Sequence, residues 1–196
     1  VMAIEFTPKE NKEAILQRIE SSGRQHRLKL VYVETPANPT NTLIDLTMCR
    51  EIANAYQTSE NPEVIVAVDN TYMGPLWQHP LDHGADLSIY SATKYIGGHS
   101  DVIAGAICGS SALIKRLKVL RTFLGNMCGP WTGWLLLRSL ETLVVRMERQ
   151  TYNAQRVAAF LQDHPKVERV YYPGLLSEKD GVQYDIYKNQ CLSPGA

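Results

Sequence analysis

Polar side chains that could do chemistry follow three apolar runs of this sequence. In chain order they are Glu34, Asn38, Asp69, Ser91, Thr93 and Lys94. A lysine held in an apolar, partly desolvated site loses proton affinity, and its neutral amine can form an imine with a carbonyl compound. Hydroxyl groups can donate hydrogen bonds to an anion, and a carboxylate can pair with a protonated ring nitrogen. The six residues therefore predict a site for a phosphorylated carbonyl compound.

These groups match the protein's share of a pyridoxal-phosphate site, which needs a lysine Schiff base and an acidic partner for the ring nitrogen. Motifs for other chemistry are missing, since the sequence has neither G-x-G-x-x-G nor G-x-x-x-x-G-K-[ST]. The segment Gly98-His99-Ser100-Asp101 lacks the glycine that follows the serine of a nucleophile elbow, which argues against a serine hydrolase. We interpret His99 as a residue that orders this loop.

Hydrophobic periodicity predicts the elements that would position these residues. The predicted strands are residues 2–6, 28–34, 64–68, 87–90, 102–108 and 167–172. The predicted helices are residues 8–22 (opened by a capping box at residues 7–10), 44–55, 112–124, and one long helix from residue 131 that allows a kink. Strands that alternate with helices predict a largely parallel sheet with helices on both faces. Because the carboxyl ends of parallel strands share one edge, the six polar residues can converge in one crevice.

Composition and charge favour a globular protein of the cytoplasm. Twenty basic residues balance twenty acidic ones, so the net charge indicates neither nucleic acid nor a membrane surface. No apolar run approaches a membrane span, and the first residues do not form a signal peptide. The four cysteines lie far apart, without C-x-x-C or a histidine at zinc spacing, so we expect a reducing compartment and no metal site. From the character of both ends, we expect a fragment of a longer protein.

Four ordered motifs run through nearly the whole chain: ETPANPT at residues 34–40, VDNTY at 68–72, SATKY with GHSD at 91–101, and YPGL at 172–175. They closely resemble motifs of the cystathionine γ-synthase/γ-lyase family of pyridoxal-phosphate enzymes, the Cys/Met metabolism group. The resemblance implies an α/β protein with the three-layer α/β/α, mostly parallel large domain of fold-type I, followed by the start of an α+β C-terminal domain. We expect the large domain over residues 1–142, and the linking helix with the second domain over residues 143–196.

The resemblance also implies a role for each matched residue. Lys94 would carry pyridoxal 5'-phosphate as a Schiff base and move protons at Cα and Cβ of the substrate. Asp69 would pair with the pyridine nitrogen and keep it protonated. Ser91 and Thr93 would bind the phosphate, and Asn38 would lie near the phenolic oxygen of the cofactor.

Other residues and segments are less directly assigned. We interpret Glu34 as a cofactor-site residue that supports Asp69 and Asn38, and we expect Tyr72 and Tyr95 to serve packing. Family members are roughly twice as long as this chain. Their additional segments supply a backbone phosphate loop, an aromatic residue stacked on the ring, a Tyr/Arg pair that reaches the neighbouring subunit, and an arginine for the substrate carboxylate.

The implied reaction is γ-elimination from cystathionine- or methionine-type substrates, small amino acids, in a homo-oligomer that is a dimer of dimers. Lyases and synthases share every motif seen here, so γ-replacement by a cystathionine γ-synthase or an O-acylhomoserine sulfhydrylase stays open. A β-elimination, as in cystathionine β-lyase, is a further alternative. From a different class, the chain could be a non-catalytic fragment or interaction module that keeps the fold without turnover.

Overall fold

The structure, a computed structural model, describes residues 2–196 and contains an α/β fold. Its strands are β1 Leu30–Glu34, β2 Ile65–Asp69, β3 Leu87–Ser91 and β4 Gly105–Gly109. Its helices are α1 Lys12–Ser21, α2 Leu46–Ala55, α3 Gly74–Trp77, α4 Ser111–Leu124, α5 Pro130–Leu140, α6 Leu143–Gln162 and α7 Val182–Gln190. None of the described helices is long and apolar enough to span a bilayer.

The four strands form one sheet in the order β1-β2-β3-β4. The first three strands run parallel, and β4 pairs antiparallel with β3. Val66, Ala67 and Val68 of β2 are all buried, as expected for a central strand covered on both faces. The predicted α/β class with a mostly parallel sheet is therefore confirmed.

The main core lies between one face of this sheet and the helices α1 and α2. Side chains such as Ile15 of α1 and Ile52 of α2 pack with Val33 and Val66 of the sheet. The opposite face is open along β1, where Leu30 is 51% and Tyr32 52% exposed. The alternating burial of β1 follows from this arrangement, because successive side chains point to opposite faces.

Two predicted strands are wrong. Residues 2–6 form no strand; Ile4 and Phe6 instead pack against the edge of the main core. Residues 167–172 are also irregular, and a 3₁₀ turn at Pro173–Leu175 follows them. Both segments have β-like patterns, but a strand also needs a partner edge, which neither segment reaches.

Helix boundaries differ from prediction at two places. Of the predicted capping box only one bond forms, from the backbone N–H of Thr7 to the Glu10 carboxylate, while the Thr7 hydroxyl donates to the same carboxylate. The helix α1 begins later and is capped by the side chain of Asn11. The long helix predicted from residue 131 is two helices, α5 and α6, separated at Glu141 and Thr142. The domain boundary near residue 142 coincides with this break and stays a prediction.

The last helix packs back onto the loops that follow β1 and β2. Ile186 of α7 belongs to a second small core with Leu43 and Met73. The side chain of Gln190 bonds the backbone of Ile44, and Gln183 bonds both backbone groups of Leu43. The C-terminal segment therefore supports the same sheet edge that carries the predicted site.

Candidate active site

The strand register brings three of the predicted residues to one edge and one face of the sheet. Glu34 pairs with Asp69, and Asp69 pairs with Ile89. Ser91 lies two residues beyond Ile89 and shares its face, because side chains alternate along a strand. Tyr32, which is exposed, lies on the same face. Glu34, Asp69 and Ser91 therefore project from the same side of the carboxyl edge.

Thr71 connects Asp69 with Ser91, and sequence reasoning missed it. Oδ1 of Asp69 accepts a hydrogen bond from the backbone N–H of Thr71 at 3.0 Å. Oγ1 of Thr71 accepts one from the backbone N–H of Ser91 at 2.7 Å. The signal in the sequence was an aspartate two residues before a threonine at a strand end, which is typical of an Asx-turn. This chain of bonds orients the Asp69 carboxylate relative to β3.

Lys94 lies on the turn after β3 and lines an open cleft of about 920 Å³. The cleft is lined by Asn38, Thr71, Tyr72, Thr93, Lys94, Tyr95, Gly98, Ser100, Asp101, Val102, Ile103, Gln150 and Ala196. The Lys94 side chain is exposed within this cleft, so the residues of this chain alone do not give it the apolar, partly desolvated surroundings that favour imine formation. Of the six predicted residues, Asn38, Thr93 and Lys94 line the cleft.

The two predicted phosphate-binding hydroxyls differ in their surroundings. Oγ1 of Thr93 accepts a bond from the N–H of Ala104 at 3.0 Å and donates to its carbonyl at 3.3 Å. The hydroxyl of Ser91 forms no hydrogen bond within residues 2–196. Ser91 can therefore donate to an anion directly, whereas the Thr93 hydroxyl must first rotate away from Ala104.

Glu34 lies beside Asp69 and Asn38, where it was expected. Burial raises the pKa of Glu34, and the negative charge of Asp69 raises it further. A hydrogen bond from the backbone N–H of Asn38 acts in the opposite direction. Asn38 itself is exposed, on the turn between Ala37 and Thr42. Its role at the cofactor stays a prediction, as does the support from Glu34.

Tyr72 and Tyr95 line the cleft, so packing alone does not describe them. Burial raises the pKa of Tyr95, and the nearby Tyr72 adds to the effect. The Tyr95 hydroxyl donates to the carbonyl of Ala196 at 2.9 Å. Gln150 of α6 also lines the cleft, and its buried Oε1 has no hydrogen-bond partner among the described residues. Nothing local in the sequence pointed to Gln150, because α6 reaches the cleft only through the tertiary fold.

The chain resembles known proteins over nearly its whole length. L-methionine gamma-lyase of Treponema denticola is 45% identical over 170 residues, which cover 86% of this chain and 41% of the relative. Human cystathionine gamma-lyase is 44% identical over 164 residues, which cover 83% of this chain and 38% of the relative. The chain thus spans about two fifths of the length of these curated relatives.

A solved structure and a family match agree with these relatives. The apo structure of a methionine gamma lyase from Micromonospora echinospora superposes with a TM-score of 0.82 at 36% identity, covering 98% of this chain and 49% of that one. Residues 2–196 match the family described as Cys/Met metabolism PLP-dependent enzyme. Since this match spans the described chain and the predicted fold is present, the chain belongs to the Cys/Met metabolism PLP-dependent enzyme family.

Proposed function

We propose that the protein of which this chain is part catalyses γ-elimination from cystathionine- or methionine-type amino acids with pyridoxal 5'-phosphate. The observation that carries the proposal is the arrangement at the carboxyl edge of the sheet. Asp69 and Ser91 project from one face, and the amine of Lys94 follows on the next turn. The names of the two curated relatives, a methionine and a cystathionine gamma-lyase, support elimination over replacement.

The residues present fit this cofactor. Asp69 offers a carboxylate whose Oδ2 has only a long contact, 3.5 Å, with the Tyr32 hydroxyl. Ser91 offers a hydroxyl without a partner in the described chain, and Lys94 offers a primary amine inside a cleft of about 920 Å³. An amine, a carboxylate and a free hydroxyl are the groups that an aldehyde with a ring nitrogen and a phosphate requires.

Each residue would then perform one task. Lys94 would hold the cofactor covalently through Nζ and transfer protons at Cα and Cβ of the substrate. Asp69 would keep the ring nitrogen protonated, while Ser91, and Thr93 after rotation of its hydroxyl, would bind the phosphate. Asn38 would contact the phenolic oxygen. When bound, the cofactor supplies an electron sink for the charge that develops at the substrate Cα.

A non-catalytic role for this chain by itself is the second candidate. Two observations favour it: Lys94 is exposed, and the Thr93 hydroxyl is engaged with Ala104. An exposed lysine is typical of a solvated surface position. In this alternative the chain keeps the fold and presents a surface to another protein without turnover.

Covalent trapping of the cofactor distinguishes the two candidates. We expect the full-length protein to be yellow with pyridoxal 5'-phosphate and to gain the mass of the reduced cofactor at Lys94 after borohydride treatment. Lys94→Ala should lose both the visible band and the added mass, whereas Lys115→Ala, an exposed lysine on α4, should keep both. A colourless wild-type protein without added mass would support the non-catalytic module.

The product of cystathionine cleavage identifies the reaction branch. A γ-elimination yields α-ketobutyrate, whereas a β-elimination yields pyruvate. Formation of pyruvate alone would favour the β-lyase alternative, and formation of a new thioether from an activated homoserine would favour γ-replacement. We expect α-ketobutyrate to be the main product.

Assembly and compartment complete the proposal. We infer a homo-oligomer, a dimer of dimers, because family members complete the site with residues of the neighbouring subunit. We infer the cytoplasm from the cysteines, since all four are free in the structure. Light scattering coupled to size-exclusion chromatography should give four times the subunit mass, and a monomer would exclude this assembly.

A further inference from the structure

The guanidinium of Arg146 reaches from α6 to the turn that follows Lys94. Its Nη1 donates to the carbonyl of Tyr95 at 2.7 Å, and Nη2 lies 3.4 Å from the carbonyl of Ile96. Nη2 also donates to the carbonyl of Ser139, the penultimate residue of α5, at 2.9 Å. One side chain therefore binds both the turn that carries Lys94 and the end of α5.

Gly98 provides the space for this contact. A Cβ on Gly98 would lie 1.9 Å from Nη1 of Arg146, far inside contact distance. Gly98 also has a positive φ of 72°, and its N–H donates to the carbonyl of Lys94 at 2.7 Å. The glycine thus closes the lysine turn and leaves room for the guanidinium beside it.

No acidic partner explains the position of Arg146. None of the ion pairs within residues 2–196 includes Arg146, and burial lowers the pKa of its guanidinium. Its Nε donates to Oγ1 of Thr142 at 3.0 Å, so the bonding partners of the group are carbonyl and hydroxyl oxygens. Without the guanidinium, the carbonyls of Tyr95 and Ile96 would lose their donor in a partly buried place, which leaves polar groups unpaired.

We propose that Arg146 is a positioning residue for Lys94, which ties the lysine turn to the junction between α5 and α6. This junction comprises Glu141 and Thr142. Because Arg146 connects the junction to the lysine turn, the orientation of the junction determines where the amine of Lys94 can reach. The inference rests on the proposed function of Lys94 as the residue that binds the cofactor. A misplacement of a reacting group by about 1 Å can cost on the order of 100-fold in rate.

Three variants of the full-length protein test this role. Arg146→Met removes every hydrogen bond and keeps much of the apolar stem, whereas Arg146→Lys keeps the charge and can bond one carbonyl. Arg149→Met is the matched control, because Arg149 lies on the same helix and is exposed. The first measurement is amide hydrogen exchange at Gly97 and Gly98 in the cofactor-free protein. The second is the initial rate of borohydride-trapped cofactor at Lys94, in variants whose melting temperature is also measured.

We expect Arg146→Met to trap the cofactor about 10- to 100-fold more slowly than the wild type and to exchange both glycine amides faster. The trapping rate of Arg146→Lys should lie between those of Arg146→Met and the wild type. The trapping rate of Arg149→Met should stay within about twofold of the wild-type rate, as expected for an exposed position. Equal trapping rates in Arg146→Met and Arg149→Met would overturn the proposal. If Arg146→Met does not fold, the lysine variant decides: slower trapping at a native melting temperature supports the role, and a wild-type rate overturns it.

Failure of the proposed function is a separate result. A wild-type protein that traps no cofactor would contradict the function assigned to Lys94, whatever Arg146 does. The exchange measurement would then still report whether Arg146 holds the turn. Faster amide exchange at Gly97 and Gly98 in Arg146→Met than in Arg149→Met supports the contact of Arg146 with the lysine turn. Equal exchange in the two variants overturns it.

Discussion

Replacing the buried amide of Gln78 should destabilise the protein and loosen the candidate site. Gln78 is fully buried, and its Nε2 donates to the carbonyl of Thr35 at 3.1 Å and to Oδ1 of Asn70 at 2.9 Å. Its Oε1 accepts from Nε2 of Gln190 at 3.1 Å and from the thiol of Cys191 at 3.4 Å. This amide therefore joins the segments after β1 and β2 with α7, directly behind the edge that carries Glu34 and Asp69.

The size of the effect follows from the partners that lose a bond. In Gln78→Leu the Thr35 carbonyl loses the Nε2 donor, as does Oδ1 of Asn70, and each such buried group costs about 1–3 kcal/mol. Gln190 keeps its bond to the Ile44 carbonyl at 3.0 Å, so its loss is smaller. The leucine recovers part of this cost because it is apolar and of similar size. We expect a net loss of about 2–4 kcal/mol, a large share of the roughly 5–15 kcal/mol that stabilises a typical protein.

Urea denaturation followed by tryptophan fluorescence measures this loss. Gln155→Leu is the control, because Gln155 is exposed on α6 and should change the free energy of unfolding by less than about 0.5 kcal/mol. The double variant Gln78→Leu/Gln190→Leu should be less destabilised than the sum of the single variants, because the two side chains share a hydrogen bond. A loss below about 1 kcal/mol in Gln78→Leu, or strict additivity, would refute the reasoning.

Two further predictions concern titratable groups. Because burial and Asp69 raise the pKa of Glu34 above 4.5, its ionised form destabilises the fold, and this cost appears as pH rises through the raised pKa. Glu34→Gln should therefore stabilise the protein at pH 7 but not at pH 4. The gain should be only a few tenths of a kcal/mol, because Glu34 is exposed. Equal shifts of the urea midpoint at both pH values would contradict this prediction. Burial raises the pKa of the Cys49 and Cys191 thiols to about 12, leaving only about one in 10⁴ ionised at pH 8. A disulfide reagent should therefore quickly modify only the two exposed thiols, Cys108 and Cys128, in the native protein, and all four thiols in urea. Fast modification of all four thiols in the native protein would contradict the burial of Cys49 and Cys191.

Elements with a local signal in the sequence were predicted well. The apolar run at residues 64–68 is a central strand, and α4 ends where Gly125 adopts a left-handed conformation with φ 72°. The segments at residues 2–6 and 167–172 had an equally apolar or alternating character and were predicted wrongly. Strand formation depends on a distant partner edge, whereas a helix end depends on its own few residues.

In the candidate site, too, the residues with a local signal in the sequence were predicted and those that depend on distant contacts were not. Asp69, Ser91 and Lys94 were predicted as site residues because Asp69 and Ser91 end apolar strands and Lys94 lies on the turn after β3, at the edge where a parallel sheet gathers its functional side chains. Arg146 was missed because it lies about fifty positions along the chain from the turn it binds, and an arginine on a helix is most often solvated. The exposure of Lys94 had no signal in the sequence, since composition predicts what a strand buries but not how much of a following turn is covered.

The core itself determines where the Asp69 carboxylate lies. Val66 and Val68 pack under α1 and α2, so alternation puts Ala67 and Asp69 on the other face of β2. A shift of the strand by one residue would remove the two valines from this core and bury the carboxylate against an apolar layer, which costs far more than its present position. The same apolar pattern that forms the strand thus holds an acid on the face shared with Ser91, next to the turn of Lys94. The geometry of the candidate site at this edge is in that sense a consequence of hydrophobic packing below it.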